Sequence, residues 1–131
     1  MEIKNIDHLV LTVADIDKTV EFYTQIMGFE VVTFGDNRKA LAFGNQKINL
    51  HQKGKEFEPK AEHPTCGSAD LCFISRTDIF EVLEELKQKG ISIIEGVVNR
   101  TGAMGKIQSV YFRDPDHNLI EVSTYDNLDF K

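Results

Sequence analysis

Two stretches of this chain share one layout. Residues 7–29, from Asp7-His8-Leu9-Val10-Leu11-Thr12-Val13 to Gly28-Phe29, alternate like a strand, change to helical spacing, and stop at a glycine. Residues 69–91 do the same, and a shift of about 62 positions lays one on the other: His8 meets Asp70, Leu11 meets Phe73, Val20 meets Val82 and Gly28 meets Gly90. An internal repeat constrains the fold strongly, because each copy must bury its apolar face in the same way. The copies also close alike, on Lys47-Ile48-Asn49-Leu50-His51 and Asn118-Leu119-Ile120-Glu121-Val122-Ser123, where Asn49 meets Glu121.

Within the first copy, residues 6–13 set Ile6, His8, Val10 and Thr12 against Asp7, Leu9, Leu11 and Val13, a period-2 pattern with branched residues on both faces. If Leu9, Leu11 and Val13 face a helix layer, His8 falls on the opposite face with Val10 and Thr12. Ile16, Val20, Tyr23 and Met27 then recur at helical spacing, with Asp17 as the expected N-cap and Gly28 as the left-handed stop. Strands follow at 29–34, 39–43 and 47–51, so the copy reads βαβββ, and Asn49 and His51 share the face assigned to His8.

Residues 53–67 carry prolines and charges without periodicity and form the connection. The second copy predicts a strand at 69–75, a helix capped by Asp78 and stopped by Gly90, and a strand at 91–94. The stretch 95–105, with Gly96, Gly102 and Gly105, is expected to be the most mobile part of the chain. Closing strands are expected at 107–112 and 118–124, with fraying at 126–131.

At 131 residues the chain suits one domain, 1–131, made of module 1 at about 3–52 and module 2 at about 68–125. A net charge of −6 argues against nucleic acid or an acidic membrane as partner, since both call for clustered Lys and Arg. No apolar run approaches the roughly 18 residues of a membrane span. With Cys66 and Cys72 read as free thiols and no secretory signal at the N-terminus, a cytoplasmic protein is expected.

Pairing of the two modules would bring the inward positions of their first and last strands, His8, Asn49 or His51, Asp70 and Glu121, into one cleft. Imidazole and carboxylates on a shared concave surface suit a divalent cation, each supplying a lone pair while the acids offset its charge. The competing structural reading makes His8 a satisfied buried histidine and pairs Asp70 or Glu121 with Arg100. A lone inward charge among branched neighbours is costly unless paired or metal-bound, and here there are two carboxylates and a histidine.

The motifs Asp7-His8-Leu9-Val10-Leu11-Thr12-Val13, Phe22-Tyr23 with Gly28-Phe29, Phe112-Arg113-Asp114-Pro115-Asp116 and Asn118-Leu119-Ile120-Glu121 resemble the vicinal oxygen chelate superfamily. It includes glyoxalase I, bleomycin-resistance proteins, fosfomycin-modifying enzymes, methylmalonyl-CoA epimerase and extradiol dioxygenases. Ile48-Asn49-Leu50-His51, Gly54-Lys55-Glu56-Phe57-Glu58-Pro59-Lys60-Ala61 and Arg100-Thr101-Gly102-Ala103 look like the subfamily of glyoxalase domain-containing protein 5. The resemblance implies an α+β fold of two paired βαβββ modules forming an eight-stranded open, barrel-like sheet, a divalent metal, and a homodimer.

By that resemblance His8, Asp70 and Glu121 stand where relatives carry metal ligands, with His51 as an alternative ligand. Asp70 replaces the usual histidine, and Asn49 replaces a glutamate used by glyoxalase I. The implied cofactor is a divalent ion (Mn, Ni, Zn, Mg or Fe), the oxygen-rich set favouring the harder ones. The expected activity is Lewis-acid chemistry of lyase, isomerase or transferase type on a small oxygen-bearing substrate, ahead of an extradiol dioxygenase. Glu121 and His51 are the candidate catalytic residues, and Asn49, Arg100 and Tyr111 the candidate substrate contacts. The alternative class is a metal-free, ligand-sequestering protein of the bleomycin-resistance type.

Overall fold

The computed structural model describes residues 1–125, so the fraying expected for 126–131 lies outside the described residues. The chain divides into two compact units, the first Met1–Ser68 and the second beginning at Ala69. The connecting segment 53–67 therefore belongs with the first unit. Among the described residues no helix is long and apolar enough to cross a membrane.

The first unit runs β1 (His8–Val13), α1 (Ile16–Gln25), β2 (Glu30–Phe34), β3 (Arg38–Phe43) and β4 (Gln46–Gln52). Its four-stranded sheet has the order β1-β4-β3-β2, with β1 parallel to β4 and the other pairs antiparallel. The register pairs Leu11 with Leu50 and Leu41 with Ile48. These four, with Val13, are buried, and α1 adds Thr19 and Tyr23 to the core. The other face carries His8, Val10, Thr12, Asn49 and His51, as the alternation in the sequence predicts.

The helix begins two residues earlier than expected. Asp15, not Asp17, is the N-cap: its carboxylate accepts from the Lys18 N–H at 3.1 Å while its backbone is extended. Asp17 sits inside the first turn, where its charge still favours the positive helix end.

The second unit repeats the plan with β5 (Asp70–Ile74), α2 (Ile79–Gln88), β6 (Glu95–Gly102), β7 (Gly105–Arg113) and β8 (Leu119–Tyr125), in the order β5-β8-β7-β6. Ile79, Val82 and Leu86 of α2 join Val110, Phe112, Ile120 and Val122 in its core. Both units are thus βαβββ, the fold class expected.

Two local expectations fail in this unit. Residues 91–94 are not a strand, and the glycine-rich stretch is not a loose loop: β6 starts at Glu95 and pairs with β7 as a hairpin. The helix stop explains the first. Gly90, at φ 77°, donates to Lys87 O and Ile91 donates to Leu86 O at 2.9 Å, so Ile91 is used in closing α2. Packing explains the second, since Gly96 lies so close to β7 that a Cβ there would meet Val110 Cγ1 at 2.6 Å. That glycine marks a register shift between Gly96 and Val98, a bulge inside a strand.

Candidate functional site

The faces turned away from the helices carry the polar side chains of both units. In the first, His8 is exposed at the start of β1 and its Nδ1 lies 2.8 Å from Asp7 Oδ1. A carboxylate only accepts, so the proton of the neutral ring sits on Nδ1 and the lone pair on Nε2. Metal-binding histidines are commonly oriented by this kind of hydrogen bond.

Asn49, 7% exposed, keeps its Oδ1 buried with no hydrogen-bond partner among the described residues. Two residues on, His51 is 3% exposed and its Nε2 lies 3.3 Å from Nη2 of Arg38. Guanidinium can only donate, so Nε2 is the acceptor and the ring is neutral with its proton on Nδ1. Burial, then the Arg38 charge, lower the imidazole's proton affinity below its ordinary range, with Glu56 opposing and Lys60 reinforcing. The role of proton carrier or alternative metal ligand expected for His51 requires a free lone pair, and Arg38 occupies the one it has.

Segment 53–62 folds over this end of the sheet. The Phe57 ring lies 4.5 Å from the Arg38 guanidinium carbon, Phe34 lies 5.1 Å from it, and Phe57 meets the His51 ring edge-on at 5.7 Å. A cavity of about 250 Å³ opens beside it, lined by Val10, Thr12, His51, Pro59, Lys60 and Ala61.

In the second unit, Asp70 and Glu121 share the face opposite α2. Asp70 pairs laterally with Leu119 and Cys72 with Glu121, so the two acids stand diagonally across adjacent strands. Ser109 donates to Glu121 Oε2 at 2.6 Å, Ser123 lies 2.6 Å from Ser109, and Cys72 Sγ lies 3.3 Å from Ser123. Burial, with Glu121 and Asp70 nearby, pushes the Cys72 thiol above its ordinary range, so it stays protonated. Cys72 is a free thiol, as the sequence suggested, and its residue is exposed overall although the sulfur itself sits against Ser123.

Tyr111 lies across from Glu121 on β7 and accepts from Arg100 Nε at 3.1 Å. Arg100 also donates to Glu95 Oε1 at 2.9 Å and to Asn99 O at 2.9 Å. Arg100 is thereby fixed to its own strand and is not carried on a closing loop. Burial raises the Tyr111 phenol above its ordinary range, Glu121 adds to the rise, and Arg100 offsets part of it.

His8, Asn49 and His51 thus lie on one face of the first unit, and Asp70, Arg100, Tyr111 and Glu121 on one face of the second. Among the described residues no group of three or more His, Cys, Asp or Glu side chains is placed to hold a metal ion. Asp7, Arg38, Lys60, Ser109 and Ser123 were missed from the sequence. Ser109 and Ser123 were findable, being small hydroxyls two residues from Tyr111 and Glu121 in alternating strands. Arg38 was not, because its contact depends on how β3 aligns with β4.

The sequence model of the Glyoxalase/Bleomycin resistance protein/Dioxygenase superfamily matches residues 5–122. Virulence protein STM3117 of Salmonella typhimurium is 64% identical over 95% of this chain and 87% of its own. Its crystal structure superposes with a TM-score of 0.94, covering 95% of this chain and 99% of that one. Glyoxalase domain-containing protein RDO1 of Mycosarcoma maydis is 57% identical over 95% of this chain and 70% of its own. Metallothiol transferase FosB of Staphylococcus epidermidis is 26% identical over 95% of this chain and 84% of its own.

Proposed function

The chain belongs to the glyoxalase/bleomycin resistance/dioxygenase superfamily, and from that premise we propose that it is a divalent-metal-dependent enzyme acting on a small oxygen-bearing substrate. His8, Asp70 and Glu121 are the proposed ligands. The observation that carries the reading is the Asp7–His8 contact at 2.8 Å, which leaves the exposed imidazole with its Nε2 lone pair outward. The bond from Ser109 supports it, since it fixes the orientation of the Glu121 carboxylate within the sheet face.

By donor type the three suit such an ion, one borderline nitrogen and two carboxylates, a mixture that favours manganese or magnesium over thiol-seeking metals. When bound, the ion would supply Lewis-acid stabilisation of negative charge developing on substrate oxygen. The rest falls to the chain's own groups. Tyr111 accepts from Arg100 and shares its own proton with the Glu121 carboxylate, and its raised proton affinity keeps that proton in place until a substrate oxygen competes for it. Glu121, beside it on β8, is the proposed base. Asn49 is the proposed contact for a substrate hydroxyl: its buried carbonyl oxygen has no hydrogen-bond partner among the described residues, a cost that a hydroxyl reaching it would relieve. Group transfer, lyase and isomerase chemistry all use these elements; the name of the staphylococcal relative, a metallothiol transferase, supports the first.

We also propose that it works as a homodimer. Thermal denaturation of chelator-treated protein with and without Mn, Ni, Zn, Mg or Fe tests the metal reading. At least one ion should raise the midpoint in the wild type and fail to do so in Glu121→Gln. Stabilisation by none of them would favour the ligand-sequestering alternative.

A further inference from the structure

The cavity beside β1 and β4 differs in chemistry from the acid-bearing face of the second unit. Its side chains are Val10, Thr12, His51, Pro59, Lys60 and Ala61, with no carboxylate among them. Lys60 brings an ammonium, Thr12 a hydroxyl, and His51 an N–H. The His51 donor is not a matter of chance: Arg38 donates to Nε2 at 3.3 Å, which forces the ring proton onto Nδ1, an atom with no hydrogen-bond partner among the described residues. A lining that donates from three side chains and is otherwise apolar is complementary to an anion with a hydrocarbon body.

The charges around it favour a single negative charge. Lys60 is shared with Glu56 at 3.8 Å and Glu58 at 3.5 Å, so its charge is already part-balanced. Arg38 has no carboxylate partner among the described residues and keeps a buried Nε without any partner. It therefore contributes a positive potential that Glu56 only partly offsets at His51, where the Arg38 charge is the stronger of the two. A volume of about 250 Å³ is below the roughly 300 Å³ at which drug-sized pockets begin, so the guest is small.

We propose that this cavity is a subsite for a small organic carboxylate, held by Lys60 and by the Nδ1–H of His51, with Arg38 as the positioning residue that fixes the imidazole tautomer. All these residues lie in the first unit and none is a proposed metal ligand, so the subsite stands or falls apart from the metal reading.

The test uses the full chain, freed of metal on a chelating resin and labelled with ¹⁵N at histidine. The His51 ring nitrogens should report a proton on Nδ1 and a lone pair on Nε2, and sodium benzoate should shift the Nδ1 signal saturably. Lys60→Gln, at a part-exposed position that leaves the amide fingerprint intact, should weaken benzoate at least about tenfold, as expected for a charge-assisted hydrogen bond. Arg38→Leu should return His51 to a mixture of tautomers and weaken benzoate too, while inorganic phosphate should bind the wild type at least about tenfold more weakly than benzoate. A proton on Nε2 in the wild type, no saturable shift, benzoate affinity unchanged in Lys60→Gln, or phosphate bound as tightly as benzoate would each overturn the proposal.

Discussion

Protonating His51 would set two cations 3.3 Å apart in a largely enclosed site. Its proton affinity is accordingly lowered from an ordinary 6.5, by burial first and then by Arg38. The unfolded chain takes up that proton more readily than the folded one, so the contribution to stability is full above about pH 6.5 and is lost as the pH falls through the lower folded value. Melting temperature followed from neutral to mildly acidic pH should therefore fall less steeply in His51→Gln than in the wild type. At this scale the sequence was partly legible: alternation alone put His8, Asn49 and His51 on one face, and the internal repeat matched Asp70 and Glu121 to His8 and Asn49. What alternation does not carry is protonation. His8 is oriented by its sequence neighbour Asp7, a rotamer choice that alternation does not fix, while His51 is held by Arg38 only because β3 and β4 bring the two together.

Helices and strands announced themselves through periodicity, as in α1, α2, β1 and β4. They did not where glycine serves packing in place of freedom. Gly96 reads as a loop residue, yet it is the point where β6 passes closest to Val110 of β7. Gly96→Ala would force that contact apart, and we expect a loss of about 1–3 kcal/mol in urea unfolding, the usual range for overpacking. The damage should extend to function, because Arg100 and Tyr111 meet across the same hairpin. A Gly96→Ala protein as stable as the wild type would mean that β6 can slide away from β7 at no cost. The misplaced cap of α1 has a simpler origin: Asp15 and Asp17 are both good caps by type, and the choice rests on where β1 ends.

For the whole molecule, the repeat of about 62 positions was the most informative feature, since it foretold two βαβββ units before any residue was assigned a role. Each polar-bearing face also leaves apolar side chains in the open, Val10 and Val32 in the first unit and Ile74 in the second. Such exposure supports assembly with another copy, and sedimentation at micromolar concentration should give the mass of two chains. A monomer at that concentration would remove the dimer from the proposal. The metal reading is tested most directly by calorimetric titration of chelator-treated full chain with manganese, in the wild type and in Asp7→Asn, His8→Ala and Glu121→Gln. One ion per chain is predicted for the wild type, with affinity down about 10–100-fold in Asp7→Asn, where only the orienting hydrogen bond is altered, and binding abolished in the other two. Manganese bound equally by the wild type and His8→Ala, or by neither, would contradict a metal centre built on that histidine.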